Sequence, residues 1–181
     1  MKQNNKLIFP AGKISSKTLK VIERELKEYV QINKRLGPFE RHKPHLLIPS
    51  IYNLSSNQEV LNKVRAYLKK DFFMWYSVFF MKSQSSEDYI PWHYDDYFWS
   101  ITGNNGCTLW LAISDVTEDM GPMEFCLDPI GDFTHQTETN ENNMLSRGNV
   151  SNFSPSKNSI IEKVYLNKGE FSIHSNKVWH R

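Results

Sequence analysis

At 181 residues and 39% hydrophobic content, the chain suits one domain with a real core and leaves little length for a second. Its 22 basic residues nearly cancel its 20 acidic ones, and the formal charge of +2 argues against a nucleic-acid or anionic-membrane partner. The two cysteines, Cys107 and Cys126, rule out a disulfide scaffold and a Cys-x-x-Cys pair, and read as buried thiols.

The first residues, Met-Lys-Gln-Asn-Asn-Lys, run into only a few apolar ones, so neither a signal peptide nor a spanning helix is expected, and a soluble cytoplasmic protein is. Ser15 or Ser16 can cap a helix with Leu19, Ile22, Leu26, Tyr29 and Val30 at helical spacing, ended by Gly37-Pro38. A second helix opens on a capping box, Ser56-x-x-Glu59, and continues through Val60, Leu61, Val64, Tyr67 and Leu68. Both helices are expected to buttress a sheet. From Phe72 the pattern changes to apolar or alternating runs that predict strands: Phe72 to Met81, Cys107 to Ile113, Met123 to Leu127 and Val164 to Ile173. In the second run Cys107, Leu109, Leu111 and Ile113 make one greasy face, while Thr108, Trp110, Ala112 and Ser114 make a face suited to a cavity wall. The polar stretch from about Asp128 to Asn158 is too long for a turn and is a candidate lid.

This order predicts a mainly β chain with N-terminal helices, a double-stranded β-helix (jelly-roll, cupin-like) barrel buttressed by helices. Its helical part covers about 1–70 and its barrel about 71–181. Within it, Pro91-Trp-His-Tyr-Asp95 places His93 and Asp95 two residues apart, so that on an extended strand both side chains share a face. A distant histidine, His180, can close the set. Two histidines and a carboxylate on one face of a metal leave positions open, as in non-heme Fe(II) oxygenases. The motif is short enough to arise by chance, and a surface hydrogen-bonded pair is the plain alternative. The flanking Trp92, Tyr97, Phe98 and Trp99 argue for a half-buried site, and aromatics gathered there do not alternate with lysines as a base-stacking platform would. His174 is a rival ligand or a satisfied buried histidine.

Several separated segments resemble the phytanoyl-CoA dioxygenase superfamily of Fe(II)/2-oxoglutarate oxygenases over most of the chain. They are Arg41-His-Lys-Pro-His-Leu-Leu, Trp75 to Lys82, Pro91 to Asp95, Thr108 to Ala112, Met120-Gly-Pro-Met123, Asn142 to Gly148, and Gly169 to His174 followed by His180. The resemblance implies His93, Asp95 and His180 as ligands of Fe(II). It places Lys43 near the co-substrate 2-oxoglutarate, with His45 assisting, and Trp110 on the strand lining its pocket, although a solvated lysine is the default reading of Lys43 and Trp110 is as readily a core tryptophan. The implied reaction is O2-dependent hydroxylation of a small-molecule substrate, with decarboxylation of 2-oxoglutarate to succinate. Asp95 favours hydroxylation over halogenation, since halogenating relatives replace this carboxylate with a small residue.

The sequence also departs from the family. Tyr94 stands where relatives commonly carry glutamine, and no Pro-Gly-Ser-His turn is recognisable near His135, whose role is open. Relatives carry an arginine for the co-substrate's distal carboxylate on a strand after the distal histidine. Arg181, adjacent to His180, belongs on the opposite strand face. A C-terminally truncated chain lacking its last barrel strand is therefore expected. Two alternatives follow: a non-catalytic cupin-like metal-binding module or inactive fragment, and a zinc hydrolase. The sequence sets neither the substrate, with a small polar metabolite mildly preferred, nor the oligomeric state.

Overall fold

The computed structural model describes residues 7–32, 42–82, 87–99, 105–131, 133–137, 142–145 and 149–181. Gly37-Pro38, Arg41 and Ser146 to Gly148 lie outside the described residues. The elements in order are β1 (Leu7–Lys13), α1 (Ser16–Ile32), α2 (Pro49–Leu54), α3 (Gln58–Leu68), β2 (Cys107–Leu111), β3 (Met123–Cys126), β4 (His135–Thr137), β5 (Asn149–Ser151), β6 (Ile161–Val164), β7 (Glu170–Ser175) and β8 (Trp179–His180). The strands form two antiparallel three-stranded sheets, β1-β7-β2 and β6-β3-β8, with β4 and β5 paired separately. Among the described residues no helix is long and apolar enough to cross a membrane.

The two faces of β2 set the layering. Leu109 and Leu111 lie opposite Ile173 and Phe171 of β7, and this face packs on Leu19, Ile22 and Leu26 of α1 and Val60 of α3. Phe171 and Ile173 are almost wholly buried there, each contributing about 1.5–3 kcal/mol by leaving water. On the other face Thr108 and Trp110 lie opposite His174 and Ser172. Trp110 and Ala112 meet Phe125, Val164 and Val178 in a second core between the sheets. The alternation expected from the sequence thus separates a helix-facing core from a sheet-facing interior.

Several expected boundaries shift. Phe72 to Met81 is not a ladder strand: Val78 makes a single bridge to His42, the Lys43 N–H donates to Ser77 O at 2.8 Å, and side chains such as Phe73 and Trp75 stay exposed. Among the described residues this stretch lacks a partner long enough for a ladder. The run Val164 to Ile173 is two strands in different sheets. A turn at Asn167–Glu170 parts them, closed by the Glu170 N–H to Asn167 O at 2.9 Å, with Gly169 at φ +85, which a side chain would strain. β1 escaped notice because Pro10 and Gly12 break its apolar run. A register shift between Ile8 and Gly12 absorbs the break, and Gly12 lies so close to Phe171 that a Cβ would stand 2.5 Å from the ring.

Ser15 caps α1, its Oγ accepting from the Thr18 N–H at 3.1 Å. The capping box expected at Ser56 is replaced by Asn57, whose Oδ1 accepts from the Glu59 and Val60 N–H groups at 3.0 and 3.2 Å. Ser56 instead donates to Asn53 O at 3.0 Å, finishing α2, a helix too short to show periodicity in sequence. Asn57→Ala is accordingly expected to cost about 1 kcal/mol of unfolding free energy and Ser56→Ala less than about 0.5 kcal/mol. Urea denaturation of the two variants decides between them, and equal losses would return the cap to Ser56.

Candidate metal centre

Backbone pairing assembles the site. The His93 N–H donates to His180 O and the His180 N–H to His93 O, both at 2.9 Å, so the two residues form a reciprocal antiparallel pair with their side chains on one face. β8 continues onto β3, where Phe125 lies opposite His180 and stacks on its ring at 5.4 Å. Tyr94 is extended, and Asp95 opens a 3-10 turn through Phe98 that returns the carboxylate toward His93. A bond from Asn176 Nδ2 to Asp96 Oδ1 at 2.7 Å, with the Asp96 N–H donating to Asn176 O at 2.8 Å, ties this turn to the β7–β8 connection.

Three ligand atoms, one each from His93, Asp95 and His180, lie within 4.8 Å of one another. Asp95 Oδ1 stands 3.7 Å from Nε2 of His93 and 3.7 Å from Nε2 of His180. The opposite nitrogens are held by backbone: His93 Nδ1 donates to Pro91 O and His180 Nδ1 to Val178 O, each at 3.0 Å. A proton fixed on Nδ1 leaves the Nε2 lone pair aimed at the shared space, the tautomer a metal ligand needs. Burial, with the neighbouring His93, holds the His180 pKa well below its ordinary 6.5 and keeps the ring neutral. Burial pushes the Asp95 carboxyl upward, but His180, His174 and His93 outweigh it and hold the group well below 3.8. Two imidazoles with Nε2 turned inward and one ionised carboxylate fit a divalent transition metal.

The structure places the remaining candidates around this triad. Trp110 and Lys43 are on the wall of an open cleft of about 2700 Å³ that reaches His93, Asp95 and His180. Lys43 Nζ lies 5.9 Å over the Tyr76 ring. His45 is not among the cleft-lining residues; its Nδ1 pairs with Ser77 Oγ at 2.6 Å. Tyr94 packs edge-on against Trp179 at 5.0 Å. Arg181 pairs with Glu124 at 2.5 Å, lies 5.1 Å over Trp92 and, like His180, lines the cleft. Two further residues meet the triad: Thr108, read from the sequence as cavity wall, and His174, read as a rival ligand or a satisfied buried histidine. Thr108 Oγ1 donates to Asp95 Oδ2, and His174 Nε2 stands 3.5 Å from the same oxygen. Their signal was the shared face of β2 and β7, which alternation gives for each strand but not across strands.

A mainly β, antiparallel fold carrying a buried two-histidine, one-carboxylate triad is the plan of a non-heme oxygenase. The phytanoyl-CoA dioxygenase (PhyH) family model matches residues 17–181, and the chain belongs to that family. Among solved structures, it is similar to a non-heme monooxygenase, ThoJ, in its apo form, with TM-score 0.79 and 19% identity over 97% of this chain. It is also similar to the ThoJ nickel complex, with TM-score 0.71 and 18% identity over 97% of this chain. The chain spans 66% of the length of each. No curated protein sequence matches it at a significant level.

The depressed pKa values predict the acid response of the metal-free protein. Unfolding lets His180 and Asp95 take up protons that the folded state refuses, so their contribution is complete above about pH 6.5 and is lost as pH falls toward the folded values. The melting temperature is expected to decline below pH 6.5, and His180→Gln should flatten the upper part of that decline. Identical pH profiles for the two proteins, measured by calorimetry, would contradict a neutral buried His180.

Proposed function

We propose that the chain is an Fe(II)- and 2-oxoglutarate-dependent dioxygenase that hydroxylates a small-molecule substrate, with His93, Asp95 and His180 as the iron ligands. One observation carries this reading: both imidazoles are locked by backbone carbonyls with Nε2 turned toward a single ionised carboxylate oxygen. Membership of the PhyH family supports the reaction class, and the ThoJ nickel complex supports metal binding in this fold. The two facing antiparallel sheets suit a jelly-roll barrel, and the shared core between them suits one domain.

Bound Fe(II) would supply the activation of O2 coupled to decarboxylation of 2-oxoglutarate to succinate. The chain's own residues bind and orient. His93 and His180 give imidazole nitrogens and Asp95 a carboxylate oxygen, all from the same side, so co-substrate and substrate approach from the cleft. Phe98, edge-on to His93 at 5.8 Å, and Phe125, stacked on His180, keep water from the back of the rings. Trp110 forms a wall for the co-substrate, and Lys43 offers a cation on the cleft rim, its loop held by the His45–Ser77 bond.

Anaerobic titration of Fe(II)-loaded protein with 2-oxoglutarate tests this. A visible charge-transfer band is expected in the native chain. In His93→Ala and Asp95→Ala the band should vanish, with iron affinity falling by more than about 100-fold, beyond the loss typical of an outer-shell change. Iron uptake with no band at saturating 2-oxoglutarate would reduce the protein to a metal-binding module.

A further inference from the structure

We propose that His174 is a positioning residue for Asp95: its Nε2–H, together with the Thr108 hydroxyl, holds Oδ2 so that Oδ1 alone is presented to the metal. The proposal rests on the reading of His93, Asp95 and His180 as metal ligands. His174 is 1% exposed, yet neither of its ring nitrogens has a hydrogen-bond partner. Leaving buried polar atoms unpaired is unfavourable, so an imidazole kept here only for packing is a poor solution beside an apolar side chain. The acceptor within reach is Asp95 Oδ2, at 3.5 Å, and a shift of a few tenths of an ångström makes that contact an ordinary hydrogen bond.

The carboxylate is addressed from two sides. Its Oδ1 is equidistant, at 3.7 Å, from the Nε2 atoms of His93 and His180, whereas Oδ2 faces Thr108 and His174. Thr108 and His174 are directly opposite one another in the β2–β7 ladder, so both reach Oδ2 from the same sheet face. Phe125 packs edge-on against the His174 ring at 4.9 Å and limits its rotation. His174 is not a fourth ligand. It meets the carboxylate through the other oxygen and lies outside the group whose ligand atoms are all within 4.8 Å. A carboxylate pinned through one oxygen binds the metal through the other, which keeps a coordination position open on the cleft side.

The test is Co(II) titration of the full chain, read both as affinity and as the ligand-field absorption of the bound ion. His174→Met keeps the volume and removes the donor; it is expected to weaken Co(II) binding about 10–100-fold and to alter the spectrum. His174→Gln, whose amide nitrogen can occupy the place of Nε2, should return affinity to within about threefold of native. His174→Asn, similar in polarity but reaching only the place of Nδ1, should bind as weakly as H174M. If H174M fails to fold, H174Q against H174N decides, since only donor position separates them. Native-like affinity and spectrum in H174M or H174N, while His93→Ala abolishes binding, would overturn the positioning role and leave the metal site standing. Equal weakening in H174Q and H174N would overturn it too. A native chain that binds no Co(II) would instead remove the underlying metal reading.

Discussion

The reciprocal hydrogen bonds between His93 and His180 are the constraint on which the site depends. They join a segment with little regular structure of its own to the last strand of the β6-β3-β8 sheet, and in doing so fix the separation of two residues 87 positions apart in the chain. In an antiparallel hydrogen-bonded pair the side chains leave the same face about 5.5 Å apart at Cα, a spacing that allows two imidazoles to converge on one ion. The ring centroids lie 4.1 Å apart. Bringing these rings together uncharged requires that neither be protonated beside the other, and burial supplies that condition at His180.

The pairing of His93 with Asp95 was legible because it follows from a local rule. The His-x-Asp spacing gives a common face on extended backbone, and the only segment-level uncertainty, the 3-10 turn that begins at Asp95, leaves that relation intact. His180 was named from the family pattern rather than from spacing, since no local rule joins residues so distant. Thr108 and His174 needed more than either. Their meeting at Asp95 Oδ2 depends on the register of β2 against β7, and register is a property of the pairing, which one strand's sequence does not contain.

The fold was legible to a similar depth. Long periodic elements such as α1, and the face assignment of β2, came from composition and alternation. The misreadings fall where a local pattern had two solutions. Phe72 to Met81 has the composition of a strand but no long partner among the described residues, and a strand is defined by its partner. The Val164 to Ile173 run hides a turn because Asn167 to Glu170 is a brief polar break between Leu166 and Phe171. At α3 the cap moved by one residue because Ser56 was already committed to the end of α2, a competition visible only once both helices are present.

The division of labour between the sheets follows from these placements. His180 belongs to the β6-β3-β8 sheet and His93 is bonded to it, whereas Thr108 and His174 belong to β2 and β7 of the other. Asp95 is the point where the two meet. The geometry of the triad is therefore a measure of how the sheets are packed, and the core between them, with Phe125 touching both His174 and His180, sets that packing. A close-packed interior transmits small displacements rather than absorbing them. Loosening Phe125 would separate Thr108 and His174 from the carboxylate they face, even though Phe125 bears no polar atom and sits behind the cleft. Precision at the triad is thus inherited from apolar packing one layer behind it, and the arrangement of its polar residues depends on the rigidity of that layer.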